Sequence, residues 1–287
     1  MGILYRGAAM NGISFGQYYP ADSPIHHLDA RIKIILSVVF IAAVFFVKSY
    51  FGYLVTLLFL ASVIGMSRVP LSVVFKTVKA VLFLIIFTFV LNLFLIDEGR
   101  ILWSLWIFDI TDQAVHYAIM MALRLFLLIT GTTLLTLTTT PMDLTDGIES
   151  LMSPLKIIKF PVHDVALIMS IALRFIPTLI EETNKIMNAQ KARGASFDHG
   201  GLFKRAKALL PVLIPLFVSS IRRADELALA MDARCYNASP NRTRRKVLKI
   251  GGRDIAALFI AAAYFTLILL DRYFFLSAVD RLFFGLF

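Results

Sequence analysis

Few side chains in this sequence have the type and spacing for covalent chemistry. Gly12-Ile13-Ser14-Phe15-Gly16 spells G-x-S-x-G, the turn that presents a serine nucleophile in many hydrolases. That turn needs a strand before it and a helix after it. Here it lies in a turn-rich N-terminal stretch that continues through Gly16-Gln17-Tyr18-Tyr19-Pro20 and Asp22-Ser23-Pro24, so a catalytic Ser14 has no support. The five histidines do not fall at metal-ligand spacing, and no H-E-x-x-H occurs. A single cysteine, Cys235, excludes an internal disulfide and a cysteine-cluster metal site. Nothing matches G-x-x-x-x-G-K-[ST], so the chain is not its own ATPase by that route. The expectation is a chain with no catalytic residue, no metal and no cofactor of its own.

What remains are arginines in unusual places. Residues 181–195 read EETNKIMNAQKARGA, and residues 222–236 read RRADELALAMDARCY. Superimposed, Ala189 falls on Ala230, Ala192 on Ala233 and Arg193 on Arg234. Each stretch reads as the polar end of a helix that follows an apolar run. A cation at a helix C-terminus gains roughly 0.3–1 kcal/mol from the dipole alone. One such arginine would mean little. Two at matching places point to guanidinium groups presented to carboxylates on a partner, because the guanidinium offers forked donors. Arg124 stands apart, well inside an apolar run. It is expected to snorkel or to bond backbone carbonyls between helices.

The elements that must carry these groups are membrane helices. Hydrophobic residues make up 59% of the 287 and charged residues only 17%, against about 25% charge in soluble domains. The fold expected is an all-α integral membrane protein, with about five transmembrane helices and amphipathic helices on its cytoplasmic side. Candidate spans are Ile34–Val47, Tyr50–Met66, Val81–Ile96, Val115–Thr138 and Ile255–Leu270. None of them contains Asp or Glu, which argues against an ion-coupled carrier. Ile101–Phe108 is apolar but too short to cross. It is expected at the interface, with Trp103 and Trp106 at headgroup level. No removable signal peptide is expected at the N-terminus.

Residues 139–253 hold eighteen of the 29 Lys and Arg. Basic segments at 31–33 and 68–79 alternate with acidic ones at 97–98 and 109–112. The orientation rule for basic loops then places the N-terminus and residues 139–253 in the cytoplasm and the C-terminus outside. The organisation expected is 1–138 (entry segment and four spans), 139–253 (cytoplasmic-side section) and 254–287 (last span).

That middle section has its own helices. Thr140-Pro141-Met142-Asp143 fits a capping pattern. Leu144, Ile148, Leu151 and Leu155 recur at helical spacing, which predicts an amphipathic helix over Pro141–Leu155 lying at the interface. Pro161 opens a second helix, apolar from Val165 to Ile180 and polar from Glu181 to Arg193. Pro177 is expected to kink it, and Gly194 to lie just past its end. Leu209–Ile221, with Pro211 and Pro215, begins a third helix on the same plan. The basic run 242–249 suits a linker facing lipid headgroups.

The tips Ala192-Arg193-Gly194 and Ala233-Arg234-Cys235 resemble the paired Ala-Arg-Gly signatures of the transmembrane T component of energy-coupling factor transporters. Gly16–Lys33, GQYYPADSPIHHLDARIK, resembles that family's entry segment. The resemblance runs from about residue 14 to the last span. It implies a scaffold in a bacterial vitamin or micronutrient importer of the cell membrane. Its partners would be two ATP-binding cassette ATPases, which bind the ATP and Mg, and a small membrane S component that captures substrate. Nucleic acid has no place in it. The two arginine motifs would dock on the two ATPases. The Pro141–Leu155 helix and the coupling-helix bases, with Ile171, Pro177, Pro211 and Pro215, would form the S-component surface. Where the family's second motif often ends in Gly, this chain has Cys235, which questions whether the turn there is left-handed. The rival readings, a secondary carrier and a membrane-embedded enzyme, need an intramembrane acid or a polar cluster at one depth.

Overall fold

The computed structural model describes residues 18–95, 101–105, 108–195, 201–236 and 251–275. Ser14, Trp106 and the basic run 242–249 lie outside them. Two compact units are present, Met1–Leu151 with Leu248–Phe287, and Met152–Val247.

In the first unit, apolar runs without Pro or Gly clusters become long helices. They are α1 (Ala30–Phe46), α2 (Tyr50–Ser67), α3 (Leu71–Leu95) and α4 (Asp112–Thr138), followed by the short α5 (Pro141–Leu151). The last helix of the unit is Gly252–Leu270, α8 in chain order. Side-chain caps mark several starts: Asp29 accepts from Arg31 N, Ser49 from Gly52 N and Thr111 from Ala114 N. The helices run up and down. Residues 22, 29, 33, 68, 138 and 254 meet at one end of the bundle, and residues 47, 49, 124 and 271 meet towards the other.

Helices long and apolar enough to cross a bilayer are α2, α3, α4, the segment Gly252–Tyr273 and, in the second unit, Val162–Ala192. With 17 residues, α1 sits at the short limit for a span. It packs against α4, α5 and α8. The helix ends reach further than the apolar runs do, so the absence of acids expected for the spans does not hold for the helices. Asp254 and Asp271 are both buried, at the two ends of the last span.

Ile101–Leu105 (β1) and Phe108–Thr111 (β2) form an antiparallel hairpin, pairing Leu105 with Phe108 and Trp103 with Ile110. A hairpin satisfies its backbone locally, which a lone extended apolar segment could not do. It is the one departure from an all-α chain among the described residues.

The core is aromatic. Phe59 stacks on Tyr264 at 4.3 Å between ring centroids, and Phe40 lies 6.4 Å from each. The Tyr264 hydroxyl donates to Thr56 Oγ1 at 3.0 Å, so its polar tip is satisfied inside the bundle. Gly131 of α4 faces Phe40 so closely that a Cβ there would lie 2.2 Å from the ring.

Residues 24–27 form a turn, in keeping with the turn-rich composition there. Ser23 caps it, accepting from His26 N, and Ile25 and Leu28 face an apolar cavity of about 330 Å³ bounded by α1, α2, α4 and α8.

Candidate functional site

The second unit is built on two long helices, α6 (Val162–Ala192) and α7 (Leu202–Ala233). A short 3-10 helix, Ser153–Ile158, precedes them. At 31 and 32 residues each is roughly 45–50 Å long at the standard rise. Both run unbroken through their prolines, Pro177 in α6 and Pro211 and Pro215 in α7. Tolerance of these prolines fits helices with few neighbours: Pro177, Pro211 and Pro215 are all exposed.

The two tips share one geometry. In the first, Gly194 N donates to Lys191 O at 2.9 Å and Ala195 N to Gln190 O at 3.0 Å. In the second, Cys235 N donates to Asp232 O at 2.8 Å and Tyr236 N to Met231 O at 2.9 Å. Each is a Schellman ending, which ties up the last carbonyls and turns the chain sharply away. Gly194 has φ 87° and Cys235 has φ 53°. The turn after Arg234 is therefore left-handed, and a cysteine adopts the conformation that glycine holds at the first tip. Ala192, Arg193, Gly194, Ala233, Arg234 and Cys235 are all exposed. Neither Arg193 nor Arg234 has an ion pair or hydrogen-bonded side chain among the described residues. A guanidinium held at a helix end with five unused donors is suited to a carboxylate or a row of carbonyls on another molecule.

Between their tips the two helices touch. Arg223 Nη2 lies 2.8 Å from Glu182 Oε2, a charge contact off the line of a hydrogen bond. Ser219 Oγ donates to Glu182 Oε1. Beside this polar contact runs an apolar groove of about 280 Å³. Its α6 wall is Ile171, Phe175 and Leu179, all before Glu182. Its α7 wall includes Ala224, Leu227, Ala228 and Met231, all after Arg223. The helices thus run against each other across the contact, and their tips diverge from it. Sequence reasoning missed Glu182 and Arg223. The signal was present, because the repeat that lays Arg193 over Arg234 also lays Glu182 over Arg223.

The amphipathic helix is shorter than its apolar spacing predicts. It ends at Leu151, and Leu155 falls in the 3-10 helix beyond it. Pro154 supplies the reason, since it has no N–H to continue an α-helix. The predicted cap is present: Asp143 N donates to Thr140 Oγ1 at 3.1 Å, and Thr140 Oγ1 donates to Asp143 Oδ2 at 2.8 Å. The helix meets α1 through Gly147, against Ala30 and Ile34. Its Leu144 and Leu151 are half-buried and Ile148 is exposed.

A buried polar knot anchors both edges of the section the sequence sets apart. Lys33 Nζ donates to Thr138 O at 2.8 Å, where α4 ends, and to His26 O at 3.1 Å. Asp254, at the start of the last helix, accepts from Asp29 N at 2.9 Å and from Gly251 N at 2.8 Å. The end of α4 and the start of α8 are thus both tied to the start of α1.

Arg124 does what its position predicts. Its Nη2 donates to Val47 O at 3.1 Å, at the end of α1. Because α1 is short, its last carbonyls lie at the depth of mid-α4, and the guanidinium complements that helix C-terminus. Among the described residues no three His, Cys, Asp or Glu group together as a metal site.

A family model described as cobalt transport protein, CbiQ, matches residues 21–245. The energy-coupling factor transporter transmembrane protein EcfT of Ruminiclostridium cellulolyticum is 48% identical over 263 residues, 92% of this chain and 98% of the relative. The EcfT of Clostridium kluyveri is 47% identical over 261 residues, covering 91% and 97%. That of Bacillus subtilis (strain 168) is 44% identical over 257 residues, covering 88% and 97%. Similarity of this degree along the full length of each relative places the chain in the EcfT family, the non-catalytic transmembrane components of energy-coupling factor micronutrient transporters.

Proposed function

We propose that the chain carries energy from two ATP-binding cassette ATPases to a substrate-capturing S component, with Arg193 and Arg234 each seated on a different ATPase. In this family ATP is bound on the ATPase subunits, so the present chain contributes contact and geometry rather than chemistry. The observation that supports the reading best is the pair of tips. Two helices end in the same exposed Schellman turn, each presenting an arginine with no partner among the described residues. Either feature alone is common at helix ends; their recurrence at matching places of the repeat is what supports the reading.

The S component rests on apolar surface in this scheme. The candidates are Leu144, Ile148 and Leu151 of α5, Leu155 beyond it, and the α6 and α7 bases with Ile171, Pro177, Pro211 and Pro215. Exposed apolar residues continue along the α7 base at Leu213, Ile214 and Phe217. In a membrane protein such surface faces lipid or another membrane chain. The cargo class is a vitamin or other micronutrient. The setting is the bacterial cell membrane, with the N-terminus and the tips in the cytoplasm and the C-terminus outside. The basic residues Arg31, Lys33, Arg68 and Arg253, all at one end of the bundle, favour that orientation.

Co-expression with the two ATPases and an S component tests this. The Arg193→Glu/Arg234→Glu double variant should lose most substrate uptake in membrane vesicles while remaining inserted. Uptake at the unaltered rate would reject the docking role. Crosslinkers placed at Ile148 and Leu213 should capture the S component. Capture of lipid alone would reject the proposed surface.

A further inference from the structure

The 41-residue offset that superimposes Arg193 on Arg234 superimposes Glu182 on Arg223 as well. These two residues, equivalent in the repeat, are the ones that meet, 2.8 Å apart. Each stands eleven residues before its own arginine tip, roughly 16 Å along the helix. The contact is thus a crossing point equidistant from the two ends. Where two related helices cross at equivalent positions, a charged residue meets its own counterpart. Two glutamates or two arginines would repel there. This chain carries opposite charges, and Ser219 adds a hydrogen bond that orients the Glu182 carboxylate.

Packing alone would not hold that point. The groove beside it is apolar and open, and most of both helices is exposed. Apolar contacts between two sparsely covered helices permit sliding and rotation. A charge pair with one fixed hydrogen bond sets register, which is the best-attested use of a partly buried ion pair.

We infer that Glu182, Arg223 and Ser219 form a register-setting clamp at the crossing of the two coupling helices, which fixes how far apart and in which direction Arg193 and Arg234 are presented. They are positioning residues and touch neither ATP nor substrate. The inference rests on the proposed docking of the two tips. A clamp equidistant from both ends passes a displacement of one tip to the other with equal lever arms. Loss of the clamp lets the tips move independently.

The test uses the complete transporter with Glu182→Gln, Arg223→Gln and the charge swap Glu182→Arg/Arg223→Glu. Spin labels at Asn188 and Leu229, exposed and equivalent in the repeat, report the distance between the arms in a Cys235→Gly background. Each single variant should broaden the distance distribution and lower uptake per ATP hydrolysed several-fold, while both ATPases still co-purify. The swap should narrow the distribution again and restore at least half of the lost coupling. Single variants with unchanged distribution and coupling would overturn the clamp, and so would a swap that remains as uncoupled as they are. Failure of the docking reading looks different. There, reversal of Arg193 and Arg234 would leave the ATPases bound, whereas the label distances still report on the clamp.

Discussion

Cys235 is the residue at which the repeat departs from itself. A non-glycine residue in the left-handed region costs about 1–2 kcal/mol, and Cys235 sits there at φ 53° with both Schellman bonds intact. Glycine would remove that cost but add roughly 0.5–1 kcal/mol of chain entropy. Cys235→Gly should therefore stabilise the end of α7 slightly, by at most about 1.5 kcal/mol. Slower amide hydrogen exchange at positions 235 and 236 would show it. Cys235→Val, with a β-branched side chain, should speed the same exchange about tenfold or more, given a further cost above roughly 1.4 kcal/mol. The arginine tips were legible from the sequence because Ala-Arg recurs at a fixed offset. The handedness of the second turn was not, since no local rule assigns a cysteine positive φ. Only the surrounding hydrogen bonds do.

Among the elements, α1 and α4 depend on one close approach. Phe40 lies over Gly131, where a Cβ would come within 2.2 Å of the ring. Phe40 itself packs against the stacked Phe59–Tyr264 pair, so it has little room to move. Gly131→Ala should cost about 1–3 kcal/mol through overpacking, seen as a lower Tm in detergent. An unchanged Tm would mean that α1 and α4 can separate enough to admit the methyl group. In the sequence Gly131 looks like an unremarkable glycine in an apolar run. Hydropathy located the helices of the membrane unit, because lipid enforces apolar length. It located their ends less well, because caps such as Thr111 and the acids Asp254 and Asp271 belong to the helices without being apolar. The Pro141–Leu155 helix was over-extended for a related reason: leucine spacing continues past Pro154, while the backbone hydrogen bonds do not.

Across the whole molecule, the start of α1 ties the entry segment to the end of α4 and the start of α8. Lys33→Met would strand the carbonyls of His26 and Thr138, and an unsatisfied buried polar group costs about 1–3 kcal/mol. A fall in Tm, with faster exchange of residues 18–28, is the expected result. The entry segment should also respond to acid. Burial holds His26 below its ordinary value of 6.5, with the charges of Lys33 and His27 acting the same way against the Tyr19 carbonyl. Its Nε2–H donates to Tyr19 O at 3.0 Å and its Nδ1 accepts from Ser23 Oγ at 2.7 Å, as a neutral ring does. The folded state favours the neutral form. This contribution to stability is complete above pH 6.5 and is lost as pH falls below it. Exchange of residues 18–28 should quicken as pH falls below 6.5, and His26→Gln should abolish that dependence.

The central claim is that two arginines serve two different partners, and native mass spectrometry of the purified complex reads it directly. The unaltered chain should carry two ATPase subunits. Arg193→Glu should carry one, Arg234→Glu should carry the other, and the double variant neither. A double variant that still carries both ATPases would contradict the account.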